Sequence, residues 1–237
     1  MYNSNSNQTI MDYSEEDQFH PKLICAKGDI LLSEIKIPSS NNKAYNLKFE
    51  FSNLNTSKVN IDTLLSTAIY DLLEKVNTDL IEKIYILDVI NEYETDVCIL
   101  LKQIAKEVGI KQKYVLFRTT KYSNNLNNNI TFYNKDLIYE HKDLINTYLK
   151  SINFNTEKYE PMIFNFGKTH ITLHDEEQSS NANANANNVD KLISVKFSID
   201  FQLTITDDLP IYMNNLIGLM FKKMFYNVKM FITNLNS

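Results

Sequence analysis

Hydrophobic and polar residues alternate most regularly between positions 195 and 205. Six apolar residues occupy every second position there: Val195, Phe197, Ile199, Phe201, Leu203 and Ile205. A period of two places these side chains on one face of a β-strand and the intervening polar residues on the other. The pattern predicts a long strand with one face in the core and one in water.

Shorter patterns of the same kind fill residues 22–52. The segments LICAK, ILLSEIKI and YNLKFEF are rich in apolar residues, and Gly28 and Asp29 lie between the first two. Glycine followed by aspartate is typical of a turn. We therefore expect three strands joined as a β-meander.

Apolar residues at helical spacing predict three helices. The first covers residues 60–77 with Asn60 or Asp62 as its N-cap, and the second covers 136–150. The third begins after Asp207 or Asp208, has Pro210 in its first turn, and runs to about Ile232. Residues 162–174 are expected to form one bent strand, or a hairpin around Gly167.

A fourth helix is predicted between two strands in the middle of the chain. The run KIYILDVI at 83–90 is almost continuously apolar, residues 94–108 have a helical pattern ended by Gly109, and KYVLFRTT follows at 113–120. Strand, helix and strand in this order predict a βαβ unit with a right-handed crossover. The expected fold class is α+β, with a mixed, largely antiparallel sheet, about four helices, this βαβ unit and a long C-terminal amphipathic helix.

Polar segments set the expected domain limits. Residues 1–20 lack apolar periodicity, and asparagine-rich stretches lie near 121–129 and 176–190. Such segments cannot bury enough apolar surface to fold. We expect a disordered tail at 1–20 and one globular domain over 21–237 that carries two disordered inserts.

The chain has only four glycines and a formal net charge of −5. Phosphate-binding loops of the usual kinds need closely spaced glycines, so nucleotide cofactors are not expected. Asparagine, isoleucine and lysine are abundant and there is a single arginine, which indicates an AT-rich genome. Because glycine codons are GC-rich, this bias accounts for part of the low glycine content. A negative net charge disfavours general nucleic-acid binding.

Localisation is inferred from the cysteines and from hydropathy. Cys25 and Cys98 lie among apolar residues and have no nearby cysteine partner, so we expect free thiols in a reducing compartment. No stretch is long and apolar enough to predict a membrane span, and the N-terminus has no secretory signal pattern. An intracellular protein, cytoplasmic or nuclear, is therefore expected.

The C-terminal helix is the most suggestive element for function. Its apolar stripe includes Met213, Leu216, Ile217, Met220, Phe221, Met224, Phe225 and Val228. From Leu209 onward the chain carries three lysines and no acids. A methionine-rich amphipathic helix suits a partner or ligand surface. The alternative is that the stripe packs against the strand that precedes it.

Two clusters of polar residues could carry chemistry. Arg118, the only arginine, begins the segment Arg118, Thr119, Thr120 and Lys121, a candidate anion site; its alternative is a structural ion pair between Arg118 and an acid. A second cluster consists of Asp88, Glu92, Glu94 and Asp96, which could bind Mg²⁺ or offset the dipole of a helix first turn. No metal site is assigned, because His170 and His174 would lie about 13 Å apart along a strand. No catalytic residue is assigned, because the sequence has no Gly-x-Ser-x-Gly elbow and no Cys-His signature.

The layout of Val195–Ile232 resembles one known family. A long alternating strand, a short connection containing Asp207 and Pro210, and a long C-terminal helix are similar in order to the helix-grip, START-like lipid-binding domains. That resemblance covers less than a fifth of the chain and implies a curved antiparallel sheet that wraps the helix over an apolar cavity. The βαβ unit predicted at 83–120 departs from this pattern, and the resemblance assigns no individual residue.

Three functions follow from these observations. The first is a non-catalytic interaction subunit or adaptor of an intracellular multiprotein assembly, with other protein subunits as partners, that uses the C-terminal helix or a sheet edge. The second is an apolar-ligand or lipid-binding protein with a cavity under that helix. The third is an enzyme with an acidic or anion-binding site near Asp88 and Arg118.

Overall fold

A ten-stranded sheet and four helices make up the described part of the chain. The computed structural model describes residues 21–36, 43–103, 111–124, 128–139, 142–152, 154, 158–176, 191–205 and 215–237. The strands are β1 (Lys22–Lys27), β2 (Ile30–Ile35), β3 (Ala44–Asn55), β4 (Ile81–Val89), β5 (Glu94–Leu101), β6 (Gln112–Asn124), β7 (Asn129–Asp136), β8 (Tyr159–Pro161), β9 (Ile163–Asp175) and β10 (Leu192–Thr204). The helices are α1 (Ile61–Leu64), α2 (Ile69–Val76), α3 (Lys142–Ser151) and α4 (Leu216–Asn236).

The sheet has the order β1-β2-β3-β10-β9-β7-β6-β5-β4, and all neighbours in this path are antiparallel. Among the strands of the described ranges, only β8 pairs in parallel, with β6. The predicted α+β class with a largely antiparallel sheet and a long C-terminal helix is confirmed.

The predicted strand at 195–205 corresponds to β10, which lies between β3 and β9. Phe197 pairs with Phe49 of β3, and their rings stack with centroids 4.8 Å apart. The predicted meander over residues 22–52 is also present, with Gly28 at φ +60 in its first turn. Residues 163–175 form the single strand β9.

The βαβ unit predicted at 83–120 is wrong. Residues 94–101 form β5, an antiparallel strand that pairs Thr95 with Val89 of β4 and Asp96 with Arg118 of β6. Both faces of this strand are covered, so its second part, residues 97–101, is continuously apolar, and such a run has no period that separates strand from helix. Residues 104–110, which include Gly109, lie outside the described residues.

The other helices differ from the predictions at their limits. The segment 60–77 contains α1 and α2, separated at residues 65–68, and the side chain of Asn60 caps α1 by accepting from the Asp62 amide at 3.0 Å. Helix α3 covers Lys142–Ser151 and begins later than predicted, because Asp136, the predicted first residue, is the last residue of β7. The predicted start of α4 near Asp207 lies outside the described residues.

Residues expected to be disordered fall partly inside strands. Lys121–Asn124 belongs to β6 and Asn129 begins β7, so that the stretch near 121–129 lies at a β-hairpin. Residues 1–20, 125–127 and 177–190 lie outside the described part.

Two apolar layers cover the two faces of the sheet. The inner face carries the main core and packs against α2 and α4. The outer face carries a smaller cluster formed by Cys98, Leu100, Tyr114, Leu116, Leu137, Leu149 and Tyr159, where Leu149 belongs to α3. Cys98 is a free, fully buried thiol whose pKa is raised to about 12 by burial.

The inner face is concave. Residues of the six neighbouring strands β10, β9, β7, β6, β5 and β4 line one cavity of about 100 Å³. Six strands spaced by about 4.8 Å would span about 24 Å in a flat sheet. The sheet must therefore curl for all six to reach the same small cavity.

Candidate functional site in the cavity under the C-terminal helix

The cavity lies between the inner face of the sheet and helices α2 and α4. Phe221, Met224 and Phe225 of α4 form its cover, and Ile69, Tyr70 and Leu73 of α2 form a side wall. The sheet supplies the floor, with Phe117 of β6, Phe132 of β7 and Ile199 of β10 among its residues. The lining is predominantly apolar, as ligand cavities in proteins usually are.

The stripe predicted on the C-terminal helix faces this cavity and the core around it. Ile217, Met220, Met224 and Val228 are buried, whereas Leu216, Phe221 and Phe225 are partly buried and pack against the main core. Phe221 stacks on Phe201 with ring centroids 4.3 Å apart. Met213 lies outside the described residues.

Helix α4 is held over the cavity by hydrogen bonds to α2. The buried side chain of Asn77, at the end of α2, donates to the carbonyl oxygens of Leu73 at 3.0 Å and Met224 at 3.3 Å. Its own oxygen accepts from the Asn227 side chain at 2.9 Å. Since buried amides need such partners, these bonds help to hold α4 against the end of α2.

The segment between α1 and α2 separates the cavity from an outer cleft. Ser66 lines both the cavity and this cleft, which is also lined by Asp62, Lys121 and Asn124. Burial raises the pKa of the Tyr70 phenol, which also lines the cavity, to about 12. This wall is formed by a short interhelical connection.

The candidate anion site is divided between the two faces of the sheet. Arg118 lies on the outer face, where its Nε and one terminal nitrogen donate to both carboxylate oxygens of Asp96 at 2.7 and 3.0 Å. Thr120 contacts Glu94 on the same face at 3.4 Å. Thr119 is close to Tyr70 and Lys121 lines the outer cleft, both on the inner side. Successive residues of a strand point to opposite faces, so these four residues are not brought together.

The acidic cluster lies at the β4–β5 hairpin and is linked to Arg118. Asp88 and Asp96 are cross-strand neighbours, and the Tyr148 hydroxyl of α3 lies 3.2 Å from one and 3.1 Å from the other. Burial, together with the two carboxylates, raises the pKa of Tyr148 well above its ordinary value. Among the described residues, no group of three or more His, Cys, Asp or Glu side chains is arranged to hold a metal ion.

Comparison with known proteins identifies the fold. No family model and no curated protein sequence matches the chain. Among solved structures, the lipid transfer and protein localization domain of human StarD13 matches with a TM-score of 0.58 and 8% identity, over 92% of this chain and 89% of that one. Human StAR-related lipid transfer protein 5 matches with a TM-score of 0.60 and 8% identity, over 94% and 90%. A STAR-related lipid transfer protein from Xanthomonas axonopodis matches with a TM-score of 0.53 and 9% identity, over 90% of this chain and 98% of that one.

This chain has the fold of those lipid-transfer domains. The resemblance in the layout of Val195–Ile232 therefore extends over almost the whole chain. Residues 83–120 were expected to form a βαβ unit, which would depart from the helix-grip pattern. The described residues of this region form antiparallel strands, which agree with that pattern.

The adaptor function predicted first is wrong. It placed the apolar stripe of α4 against another protein subunit, whereas the stripe covers the core and a cavity of its own chain. The matched structures carry the names of lipid-transfer proteins, and none of these names describes an assembly subunit. In the described part of the chain, no helix has the length and hydropathy of a membrane span.

Sequence reasoning missed the strand side of the cavity, in particular Asn134 of β7. Ile130, Phe132 and Asn134 occupy alternate positions, so Asn134 is a polar residue where the pattern calls for an apolar one. That break in the alternation was the available signal.

Proposed function

We propose that this protein binds a small apolar molecule in the cavity under α4 and acts as a carrier for it. The observation that carries the proposal is the hollow itself: the stripe of α4 that should fill the core leaves about 100 Å³ unfilled beneath Phe221, Met224 and Phe225. Protein interiors are otherwise close-packed, and an unfilled space costs stability. A bound apolar molecule would recover that lost contact.

The fold supports the same proposal. The matched structures are lipid-transfer proteins by name, and the chain covers 89–98% of the three compared above. Ligand cavities of drug-sized molecules measure about 300–1,000 Å³. The present cavity is smaller, so the proposal specifies a compact ligand or a single alkyl chain, or a cavity that widens where the α1–α2 connection forms its wall.

A ring placed in the cavity tests the proposal. Thr169 of β9 lines the cavity, and Lys168 is exposed on the opposite face of the same strand. Thr169→Phe should fill the space and abolish binding of naphthalene, a compact, neutral and fluorescent probe. Lys168→Phe adds the same ring outside and should leave binding unchanged, with circular dichroism confirming that both variants fold.

Native mass spectrometry of the purified protein provides a second readout. A bound apolar molecule should be detected with the wild type and with Lys168→Phe and should be absent from Thr169→Phe. Equal probe binding by wild type and Thr169→Phe, or no binding by the wild type, would contradict the proposal.

A further inference from the structure

Asn134 lines the cavity and carries an unpaired polar atom. It lies on β7 between Thr119 of β6 and Gly167 of β9, and its side chain lines the cavity. The Oδ1 atom is buried and has no hydrogen-bond partner in the described part of the chain. A buried amide oxygen without a partner is destabilising, and such a group usually has a water, an ion or a ligand as its partner. The described residues contain two other atoms of this kind, Thr119 Oγ1 and Asn129 Oδ1, and neither residue lines the cavity.

The surroundings of Asn134 exclude charge. The polar residues that line the cavity with it are Ser66, Tyr70 and Thr169, and no charged residue of the described chain is among the lining residues. Moving an ionised carboxylate or phosphate into such a site would cost far more than hydrogen bonds to neutral groups return. The buried part of a ligand must therefore be uncharged.

We infer that the ligand is an uncharged apolar molecule whose hydroxyl group binds Asn134. The hydroxyl donates to Oδ1, and the rest of the molecule fills the space bounded by Phe132, Phe221 and Met224. A hydroxyl also satisfies the amide if its oxygen and nitrogen exchange places, since it both donates and accepts. This inference rests on the proposed function and adds the chemical class of the ligand.

Competition among three octyl compounds tests the inference. Bound naphthalene is titrated with 1-octanol, 1-methoxyoctane and octanoate at pH 8. The ether is more apolar than the alcohol, and a featureless cavity would prefer it. We expect the alcohol to displace the probe at about fivefold to tenfold lower concentration than the ether, because only the alcohol donates a hydrogen bond, and octanoate to be the weakest.

A variant of Asn134 makes the assignment specific. Asn134→Leu should bind the ether at least as well as the wild type and lose the preference for the alcohol. Because it removes an unpaired buried group, it should also raise Tm by about 2–4 °C. The control is Asn46→Leu: Asn46 already donates to Ser198 at 3.1 Å and Asp200 at 2.6 Å, so its loss should lower Tm and leave the alcohol preference intact.

The outcomes separate the inference from the proposed function. No probe binding by the wild type would overturn both. Probe binding with equal displacement by alcohol and ether, or a preference that survives in Asn134→Leu, would overturn the inference alone. A fall in Tm for Asn134→Leu similar to that for Asn46→Leu would assign Asn134 a structural role and would also overturn it.

Discussion

Two polar sites on opposite faces of the sheet differ in their hydrogen bonding. On the outer face, Arg118, Asp96, Tyr148 and Asp88 form a continuous network in which Asp96 is completely buried and both of its oxygens are bonded. On the inner face, Asn134 lines an unfilled cavity, and its oxygen has no partner among the described residues. The buried carboxylate of Asp96 has partners that offset its desolvation cost, whereas the unpaired oxygen of Asn134 is the observation behind the ligand inferred above.

The same strands serve both faces. Asp96 points outward on β5 and its neighbour Val97 belongs to the main core, and Arg118 and Phe117 are related in the same way on β6. The difference between the two faces therefore does not arise from different segments of the chain. It can be tested by changing one face and measuring the other.

The largest effect is expected when the outer network is broken. Arg118→Met leaves the carboxylate of Asp96 buried without its charge partner and should lower the free energy of unfolding by about 3–5 kcal/mol in urea titrations. Arg118→Lys retains the charge but not the two-point contact, and should lose less. Probe binding by folded Arg118→Met should match the wild type; reduced affinity would mean that the two faces are coupled.

A smaller effect is expected where the inner face is tightly packed. A Cβ atom at Gly218 of α4 would lie 2.7 Å from Cδ1 of the buried Tyr45 ring and 3.2 Å from a methyl carbon of Leu32. Gly218→Ala should therefore lower the free energy of unfolding by about 1–2 kcal/mol, as overpacking outweighs the gain in helix propensity.

The adjacent residue Leu219, which is 44% exposed, is the control for this position. Leu219→Ala should change stability by less than about 0.5 kcal/mol. If Gly218→Ala leaves the free energy of unfolding unchanged, α4 is not tightly packed at Gly218. The contrast between tight packing there and the cavity under Phe221 and Met224 would then be wrong.

The smallest effect concerns tyrosine ionisation on the two faces. Burial raises the pKa of Tyr70 on the inner face and of Tyr114 on the outer face to about 12, from an ordinary value of 10. The contribution of each neutral tyrosine to the free energy of unfolding is complete below pH 10 and is lost as the pH rises toward 12, because the tyrosine ionises at a lower pH in the unfolded chain.

Replacing either tyrosine by phenylalanine should reduce the loss of stability between pH 9 and pH 11 by about 1 kcal/mol. Urea unfolding at both pH values, followed by circular dichroism, measures this change. Equal effects of Tyr70→Phe and Tyr114→Phe would indicate that the two layers unfold as one unit. An effect of only one of them would show that the layers separate before global unfolding.

Local patterns predicted the elements that have one buried and one exposed face. Strand β10 and the meander of β1 to β3 follow from alternation, and α2 and α4 follow from helical spacing. Strand β5 could not be predicted in this way because both its faces are covered, and its alternation is lost. Within the candidate site, the stripe of α4 was predicted, whereas Asn134 and Thr169 were not.

By itself, the sequence determined the periodicities, the scarcity of glycine that excludes the usual phosphate-binding loops, and the amphipathic character of the last helix. Each of these depends on residues close together in the chain. Only the tertiary structure decided that the stripe covers a hollow, that Arg118 meets Asp96, and that the Asn134 oxygen has no partner among the described residues. A void and a missing hydrogen bond are properties of the space between side chains, and here that space is bounded by residues as distant in sequence as Ser66, Asn134 and Phe221.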